Sequence, residues 1–218
     1  MVKEIIYLPE TAEEFESDAY PIFIPSMAVL ISSATKYGRA NIAPIVAWTI
    51  ISRFPFMALI ALCYSHYTKN YWPRYSGKVI RETGEYVINI PHTGLIDAIS
   101  LTGQVSGNDP NVDKFKLAGL TPGPSQTIKA PIIMECPINL ECKVTEVIRP
   151  GSHELFIAKV QAIQHDPLLR QDIRDDLMII DMILDVEKRG EAQETRIIWQ
   201  TLPKPDSISA PKGADPNN

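Results

Sequence analysis

The segment from Ile138 to Gln164 constrains the fold more strongly than any other part of the chain. Apolar and polar residues alternate at its start, which reads Ile-Asn-Leu-Glu-Cys-Lys-Val-Thr. This period of two predicts a strand with one buried face. The turn sequence Arg149-Pro150-Gly151-Ser152 then precedes a second apolar run. We therefore expect strands over Ile138–Ile148 and Glu154–Gln164 that pair as an antiparallel hairpin.

Strand signals also dominate the rest of the chain. Four further short runs are rich in β-branched and aromatic residues, namely Met27–Ser33, Phe56–Tyr64, Tyr86–Ile90 and Thr195–Leu202. Helical spacing of apolar residues is found in two segments, Thr93 to Gln104 and about Leu168 to Lys188. Many strands with few helices predict a mainly β fold that is closed, or nearly closed, into a barrel, because closure removes exposed strand edges.

The length of the chain and the lack of a linker-like run favour a single domain. A chain of 218 residues can bury a complete core without a disulfide or a structural metal. No linker-like run divides it before the last segment, so we predict one domain over residues 1–202. Residues 203–218 are polar and proline-rich. We expect them to form a disordered tail or an arm on a partner subunit.

Charge and cysteine content narrow the class of partner. The chain has 26 acidic against 21 basic residues, which argues against a nucleic-acid-binding protein. Its three cysteines show no C-x-x-C spacing, and reduced thiols in the cytoplasm are the simplest interpretation. The N-terminal residues lack the features of a secretory signal. The most apolar stretch, 40–64, is interrupted by Pro44, Arg53 and Pro55, so we expect no membrane span.

Spacing alone predicts no catalytic constellation. The four histidines are scattered, and the chain has no G-x-S-x-G elbow and no G-x-x-x-x-G-K loop. No arrangement of histidines and cysteines predicts a metal site. These absences remove most support for a simple hydrolase or nucleotidase.

Several local motifs, taken in their order along the chain, resemble those of a known family. In chain order they are Gly-Arg-Ala-Asn-Ile-Ala-Pro at 38–44, Arg-Tyr-Ser-Gly-Lys at 74–78, Glu-Thr-Gly-Glu-Tyr at 82–86, Asp-Lys-Phe at 113–115 and Gly-Ser-His-Glu-Leu-Phe at 151–156. Together they resemble the flavin reductase-like family of FMN-binding split barrels, and most closely its flavoredoxin branch. The resemblance extends from about Pro25 to Gln164. It implies a mainly β split barrel with a few peripheral helices.

The resemblance also implies a cofactor and an assembly. Members of that family are homodimers that bind FMN in a groove at the subunit interface, so one FMN per protomer is expected. The cofactor-binding residues that the resemblance implies are Asn41, Ala43, Pro44, Trp48, Thr49, Ser52, Arg74, Tyr75, Ser76, Asn89 and Lys114. NADH or NADPH would be the electron donor.

The chemistry of these residues suits a flavin independently. Small side chains between Asn41 and Ser52 expose backbone groups for the ring edge, and Arg74 with Ser76 suits a phosphate. Other interpretations stay open at this point. Trp48 could be a core residue, and Arg74 could belong to a solvated charged face. Asn89 could form a turn, and Lys114 could be a surface lysine.

His153 is the candidate catalytic residue. It follows a turn where members of the family carry Gly-Asp-His close to the flavin or the entering nicotinamide. Here Ser152 replaces the aspartate, so the carboxylate that would orient or charge the imidazole is missing. The alternative is a histidine at a strand end without a catalytic role.

Three functions are compatible with the sequence. The first is an NAD(P)H-dependent flavin reductase that passes electrons from bound FMN to an acceptor. The second is a flavoredoxin-like electron carrier that takes electrons from a redox protein partner and has no nicotinamide site. The third is a flavin-binding protein without turnover. The cofactor carries the redox chemistry in each case, while the protein supplies orientation and electrostatics.

Overall fold

The structure is a computed structural model that describes residues 26–64 and 73–167, together with four two-residue strands nearer the C-terminus. The strands of the first two ranges are β1 (Val29–Ala34), β2 (Ala40–Ile45), β3 (Trp48–Arg53), β4 (Phe56–Cys63), β5 (Glu85–Ile90), β6 (Pro122–Gly123), β7 (Ile132–Ile133), β8 (Ile138–Ile148) and β9 (His153–His165). The helices are α1 (Tyr75–Thr83), α2 (Ile96–Gln104) and α3 (Lys114–Leu117), with a 3₁₀ turn at Thr93–Leu95.

Seven of these strands form one antiparallel sheet in the order β2-β1-β5-β8-β9-β4-β3. Strands β8 and β9 pair along nearly their whole length, from Ile138 opposite His165 to Ile148 opposite Leu155. The hairpin that the alternating pattern predicted is therefore confirmed. Two register shifts interrupt it, and they bend the long strands around the core.

The sheet curls because its two edge strands are consecutive in the chain. Strands β2 and β3 lie at opposite ends of the strand order, yet only Val46 and Ala47 lie between them. The indole nitrogen of Trp48 donates to the backbone oxygen of Met27 at 3.0 Å and so joins β3 to the chain entering β1. The result is a split barrel, which confirms the fold class predicted from the sequence. Pro44 in β2 suits an edge, since it has no N–H to donate to a further strand.

The core lies in two layers on either side of β1. Val29 and Ile31 point into the barrel, where Ile60, Tyr86 and Phe156 are fully buried. Leu30 points the other way, toward the helices α2 and α3. That second cluster contains Leu30, Ile42, Ala98, Ile99 and Phe115. Strand β1 is thus buried on both faces, which explains why Val29, Leu30 and Ile31 are apolar without alternation.

The sequence predicted strands β1, β4, β5, β8 and β9 and the helix ending at Gln104, and the structure confirms them. It did not predict β2, β3 or α1. Strand β2 contains Asn and Pro, and β3 is an exposed edge, so neither has a clear period of two. The sequence pattern did not predict helix α1 because Ser76 and Gly77 have low helix propensity.

The predicted C-terminal helix over 168–188 falls mostly outside the described residues. Where its residues are described, the prediction is wrong, because Met178–Ile179 (β10) and Ile183–Leu184 (β11) are strands. They pair with Gln200–Thr201 (β13) and Arg196–Ile197 (β12), which lie within the strand predicted at Thr195–Leu202. The tail at 203–218 lies outside the described residues.

Candidate functional site

The N-terminal end of α1 forms one side of the candidate site. Arg74 is its N-cap residue, and the backbone N–H of Arg74 donates to the Cys63 oxygen at 3.0 Å, so the helix starts directly beside the end of β4. No side chain caps this end, and its first turn contains no acidic residue. An uncapped helix N-terminus carries partial positive charge and free N–H groups, which favour an anion.

Asn41 and Ser76, both predicted cofactor ligands, are in direct contact. The amide nitrogen of Asn41 donates to the Ser76 hydroxyl at 2.8 Å, and both residues are buried. The Asn41 side-chain oxygen has no hydrogen-bond partner among the described residues, although it is buried. A buried polar atom without a partner costs free energy unless a ligand or water pairs with it.

Gly107 closes this part of the site. A Cβ atom at this position would lie 1.9 Å from the Asn41 oxygen and 2.9 Å from Tyr75. Only glycine fits at this position, so the loop at 105–113 lies directly against the predicted ligands Asn41 and Tyr75. Gly107 is not among the cofactor-binding residues predicted from the sequence. The turn-forming run Ser-Gly-Asn-Asp around it was the available signal.

Lys114 is a buried lysine, not the surface residue that the sequence also allowed. Its ammonium donates to the backbone oxygens of Ile42 at 2.9 Å and Thr102 at 2.7 Å, which leaves one donor for a ligand. Burial, and then the nearby charge of Arg74, lower the pKa of Lys114 from 10.5 to about 8. Two cations are therefore close together at the start of α1.

His153 lies on the same side of the molecule. It begins β9, and it pairs with Cys63, whose backbone oxygen accepts the Arg74 N–H. Its Nδ1 is 2.7 Å from the Ser152 hydroxyl, so serine occupies the place of the missing carboxylate. Burial, and then the Arg74 charge, lower the pKa of His153 below its ordinary value. A ring with a lowered pKa is neutral at neutral pH and has one N–H to donate.

Trp48 and Thr49 lie in a separate part of the surface. They line an open cleft of about 410 Å³ together with Ser26, Met27, Val46 and Ile50. Trp48 pairs with Ile60 on β4, and His153 pairs with Cys63 on the same strand. Ile60 and Cys63 are three residues apart, so Trp48 and His153 point to opposite faces of the sheet. Thr49 pairs with Leu59, four residues from Cys63, so Thr49 and His153 share a face and lie about 13 Å apart along β4.

Three other predicted ligands lie near these groups on the edge strands. Ala43 and Pro44 are half-buried on β2, in the strand that carries Asn41. Ser52 is half-buried on β3, next to a bulge and opposite Met57. The flavin contacts of these three residues stay predictions.

Asn89 has a structural role that the sequence did not predict. It is fully buried, and its amide nitrogen donates to Leu30 O and Ser32 Oγ at 2.9 Å each. Its side-chain oxygen accepts from the backbone N–H of Ile133 and from Asn139, at 2.9 Å each. These contacts use the amide within the core, and the predicted contact of Asn89 with a flavin stays a prediction. It is not the turn residue that the sequence also allowed.

The anion-binding features converge on a few residues. The uncapped helix end, Arg74, Ser76 and Lys114 provide positive charge and hydrogen-bond donors, and Asn41 has an unused acceptor. These groups fit a phosphate monoester joined to a polyhydroxyl chain, and the apolar cleft beside Trp48 fits a flat ring. They therefore fit FMN. Among the described residues, no three His, Cys, Asp or Glu side chains are grouped so that they could hold a metal ion.

Several solved structures share this fold. Flavoredoxin of Desulfovibrio vulgaris (Miyazaki F) has a TM-score of 0.63 and 23% identity, and the match covers 90% of this chain and 100% of that one. An FMN-binding protein from Thermus thermophilus has a TM-score of 0.60 at 19% identity, with 76% and 80% covered. The NADH:FAD oxidoreductase SgcE6 of Streptomyces globisporus has a TM-score of 0.56 at 16% identity, with 66% and 78% covered.

Sequence relatives are more similar but shorter in their match. A protein from Archaeoglobus fulgidus is 35% identical over 92 residues, which are 42% of this chain and 51% of the relative. One from Pyrococcus abyssi is 30% identical over 148 residues, which are 66% of this chain and 77% of the relative. Both bear the name uncharacterized protein. The chain thus spans from about half to three quarters of the length of these relatives.

The split barrel is the fold that this chain shares with flavoredoxin and with the FMN-binding protein. The family assignment agrees, because residues 23–178 match the model of the flavin reductase like domain. That match covers well over half of the chain, so the protein belongs to the flavin reductase-like family. In the described part of the chain, no helix is both long and apolar enough to span a membrane.

Proposed function

We propose that each protomer binds one FMN and transfers electrons from NADH or NADPH through it to an acceptor. One observation carries this proposal. Arg74 and Lys114 are cations close enough for Arg74 to lower the pKa of Lys114, and the first turn of α1, which follows Arg74, contains no acidic residue of its own. Like charges at a partly buried site repel each other, and a bound dianion would reverse that cost.

Different residues would hold different parts of the cofactor. Arg74, Ser76 and Lys114 would hold the phosphate through charge-assisted hydrogen bonds. Asn41, whose amide nitrogen donates to the Ser76 hydroxyl, would orient that hydroxyl toward the cofactor. The cleft beside Trp48 and Thr49 would hold the ring. The flavin would supply the hydride acceptor, which no side chain can provide.

His153 would act beside the ring as a neutral hydrogen-bonding group. The Ser152 hydroxyl and Nδ1 share a hydrogen bond that either group can donate; when the hydroxyl donates, the single ring proton is on Nε2, which is then a donor. The lowered pKa of His153 keeps the ring neutral across the neutral range. A neutral donor can orient a flavin or nicotinamide carbonyl without adding charge at the site.

The proposal includes a homodimer with the flavin at the interface. Four apolar side chains at or next to the edge strand β3 are exposed, namely Val46, Ile50, Ile51 and Phe54. Some of them border the cleft that would hold the ring. A second protomer on this edge would cover them and complete the walls of the cleft.

Anaerobic stopped-flow mixing tests the proposal. The protein is first loaded with FMN, and NADH or NADPH is then added in separate experiments. Rapid loss of the flavin absorbance supports the oxidoreductase. A protein that neither quenches FMN fluorescence nor retains FMN after dialysis would refute flavin binding itself.

The likeness to flavoredoxin over 90% of this chain favours one second candidate, an electron carrier without a nicotinamide site. The same experiment separates the two functions. Bleaching that requires a reduced redox protein, and that fails with both nicotinamides, would support the carrier.

A further inference from the structure

Glu154 is a buried acidic residue that the proposed function does not use. Its side chain is fully buried at the start of β9, directly after His153. Successive residues of a strand point to opposite faces, so Glu154 points toward α1 and the barrel interior. A buried carboxylate is stable only when it is paired or hydrogen-bonded.

Two arginines from different elements share this carboxylate. Arg81, in the last turn of α1, forms an ion pair with Oε1. Arg149, in the turn between β8 and β9, lies 3.5 Å from Oε2. The Arg149 guanidinium also lies 5.0 Å from the centre of the Tyr64 ring. Glu154 thus joins a helix and a turn that are distant in sequence.

Gly77 lets α1 approach the carboxylate closely. A Cβ atom at this position would lie 2.8 Å from Glu154 Oε1 and 3.8 Å from Leu62. Oε1 cannot move freely, because Arg81 binds it. The first turn of α1 is therefore set directly against Glu154.

We propose that Glu154 is a positioning residue that fixes the start of α1 relative to His153. One arm, Arg81 with Gly77, sets the helix that presents Arg74 and Ser76. The other arm, Arg149, sets the turn that ends at Ser152 and His153. The inference rests on the proposed function, since it concerns the distance between the phosphate end of the flavin site and the imidazole.

The helix arm (Arg81 with Gly77) and the turn arm (Arg149) can be tested separately. Loss of the helix arm displaces the phosphate ligands and leaves the turn in place. Loss of the turn arm changes the Ser152 to His153 contact and leaves the phosphate ligands in place. A residue that only stabilised the fold would weaken every property of the site together.

The experiment uses the full chain and changes one arm at a time. Arg81→Met and Gly77→Ala alter the helix arm, and Arg149→Met alters the turn arm. Lys78→Met, exposed on the same helix, and Lys143→Met, exposed on β8, are the matched controls. Glu154→Gln is less suitable, because Glu154 is the partner of both arginines and its loss would change both arms at once. If either Arg→Met variant fails to fold, the corresponding Arg→Lys variant replaces it.

The readouts are the affinities for FMN and riboflavin, by fluorescence quenching, and the imidazole nitrogen shifts of His153, by NMR. For the helix arm, we expect FMN affinity to fall about tenfold while riboflavin affinity changes less than about twofold. For the turn arm, we expect altered His153 shifts with unchanged FMN affinity. Equal losses for both flavins, or both readouts unchanged in all three variants, would overturn the proposal.

The failure of flavin binding would be a distinct result. If the unmodified protein binds no FMN, the proposed function is wrong. Amide exchange in the flavin-free protein then tests the two arms. Arg81→Met should speed exchange at residues 75–77, and Arg149→Met should speed it at 152–154. Unchanged exchange at both segments would refute the positioning role.

Discussion

At the scale of single residues, the phosphate role of Arg74 gives the sharpest test. Arg74→Ala should remove a charge-assisted contact worth about 1.5 to 3 kcal/mol. FMN affinity should then fall by about one to two decades, since each 1.4 kcal/mol is about tenfold. Riboflavin has the same ring without the phosphate, so its affinity should change little. Equal losses for the two flavins would place Arg74 in the fold and not in the phosphate site.

Lys114 should make flavin binding depend on pH. Its pKa of about 8 means that the ammonium loses its proton just above neutral pH. FMN affinity should therefore decline as pH rises through about 8, while riboflavin affinity should not. Lys114→Met should bind FMN more weakly at neutral pH and show a flat profile. A declining profile that persists in Lys114→Met would assign the titration to another group.

The same lysine predicts an opposite trend in stability without flavin. The folded pKa of about 8 lies below the ordinary 10.5, so the unfolded chain keeps the proton to higher pH. The free energy of unfolding contributed by this group should thus rise with pH between about 8 and 10.5. The difference between the unmodified protein and Lys114→Met, measured by denaturant unfolding across this range, isolates the effect. A constant difference would mean that the pKa is not lowered.

At the scale of elements, the site depends on contacts between segments that are far apart in sequence. Asn41 and Ser76 are 35 residues apart, yet their side chains meet. The motifs at 38–44 and 74–78 could be recognised from the sequence because each has a distinctive local pattern. The sequence could not place Asn89 in the core, because its partners Ile133 and Asn139 become neighbours only when β5, β7 and β8 are assembled.

Arg39 connects the turn between β1 and β2 to the loop at 105–113. Its guanidinium donates to the backbone oxygens of Asp109 and of Val112, the latter at 3.2 Å. The β1–β2 turn thereby holds the loop at 105–113, which carries Gly107 onto Asn41. Arg39→Met should raise amide exchange in this loop and lower FMN affinity, while exchange in β8 and β9 stays unchanged. Lys36→Met, exposed in the same turn, is the control. Equal exchange in both variants would contradict this role.

At the scale of the whole molecule, the exposed apolar edge decides the assembly. Ile50 and Ile51 are 38% and 44% exposed on β3, and Phe54 beyond it is 95% exposed. Full burial of an exposed side chain of this size is worth about 1.5 to 3 kcal/mol, so Phe54 has most of this to gain in an interface, and Ile50 and Ile51 have less than half. We therefore expect a homodimer at micromolar concentration. Ile50→Asp should give a monomer and weaken binding of FMN and riboflavin alike, because the charge would face the partner beside the ring.

A second isoleucine provides the control for this dimer test. Ile163 is 49% exposed on β9, beyond the part of that strand that pairs with β4. Ile163→Asp introduces the same charge at a comparable exposure, so it should leave the mass and the flavin affinity unchanged. Light scattering with FMN present gives the mass of each variant. A monomer mass for the unmodified protein would contradict the dimer, and dissociation by both variants alike would show that the effect is not specific to the β3 edge.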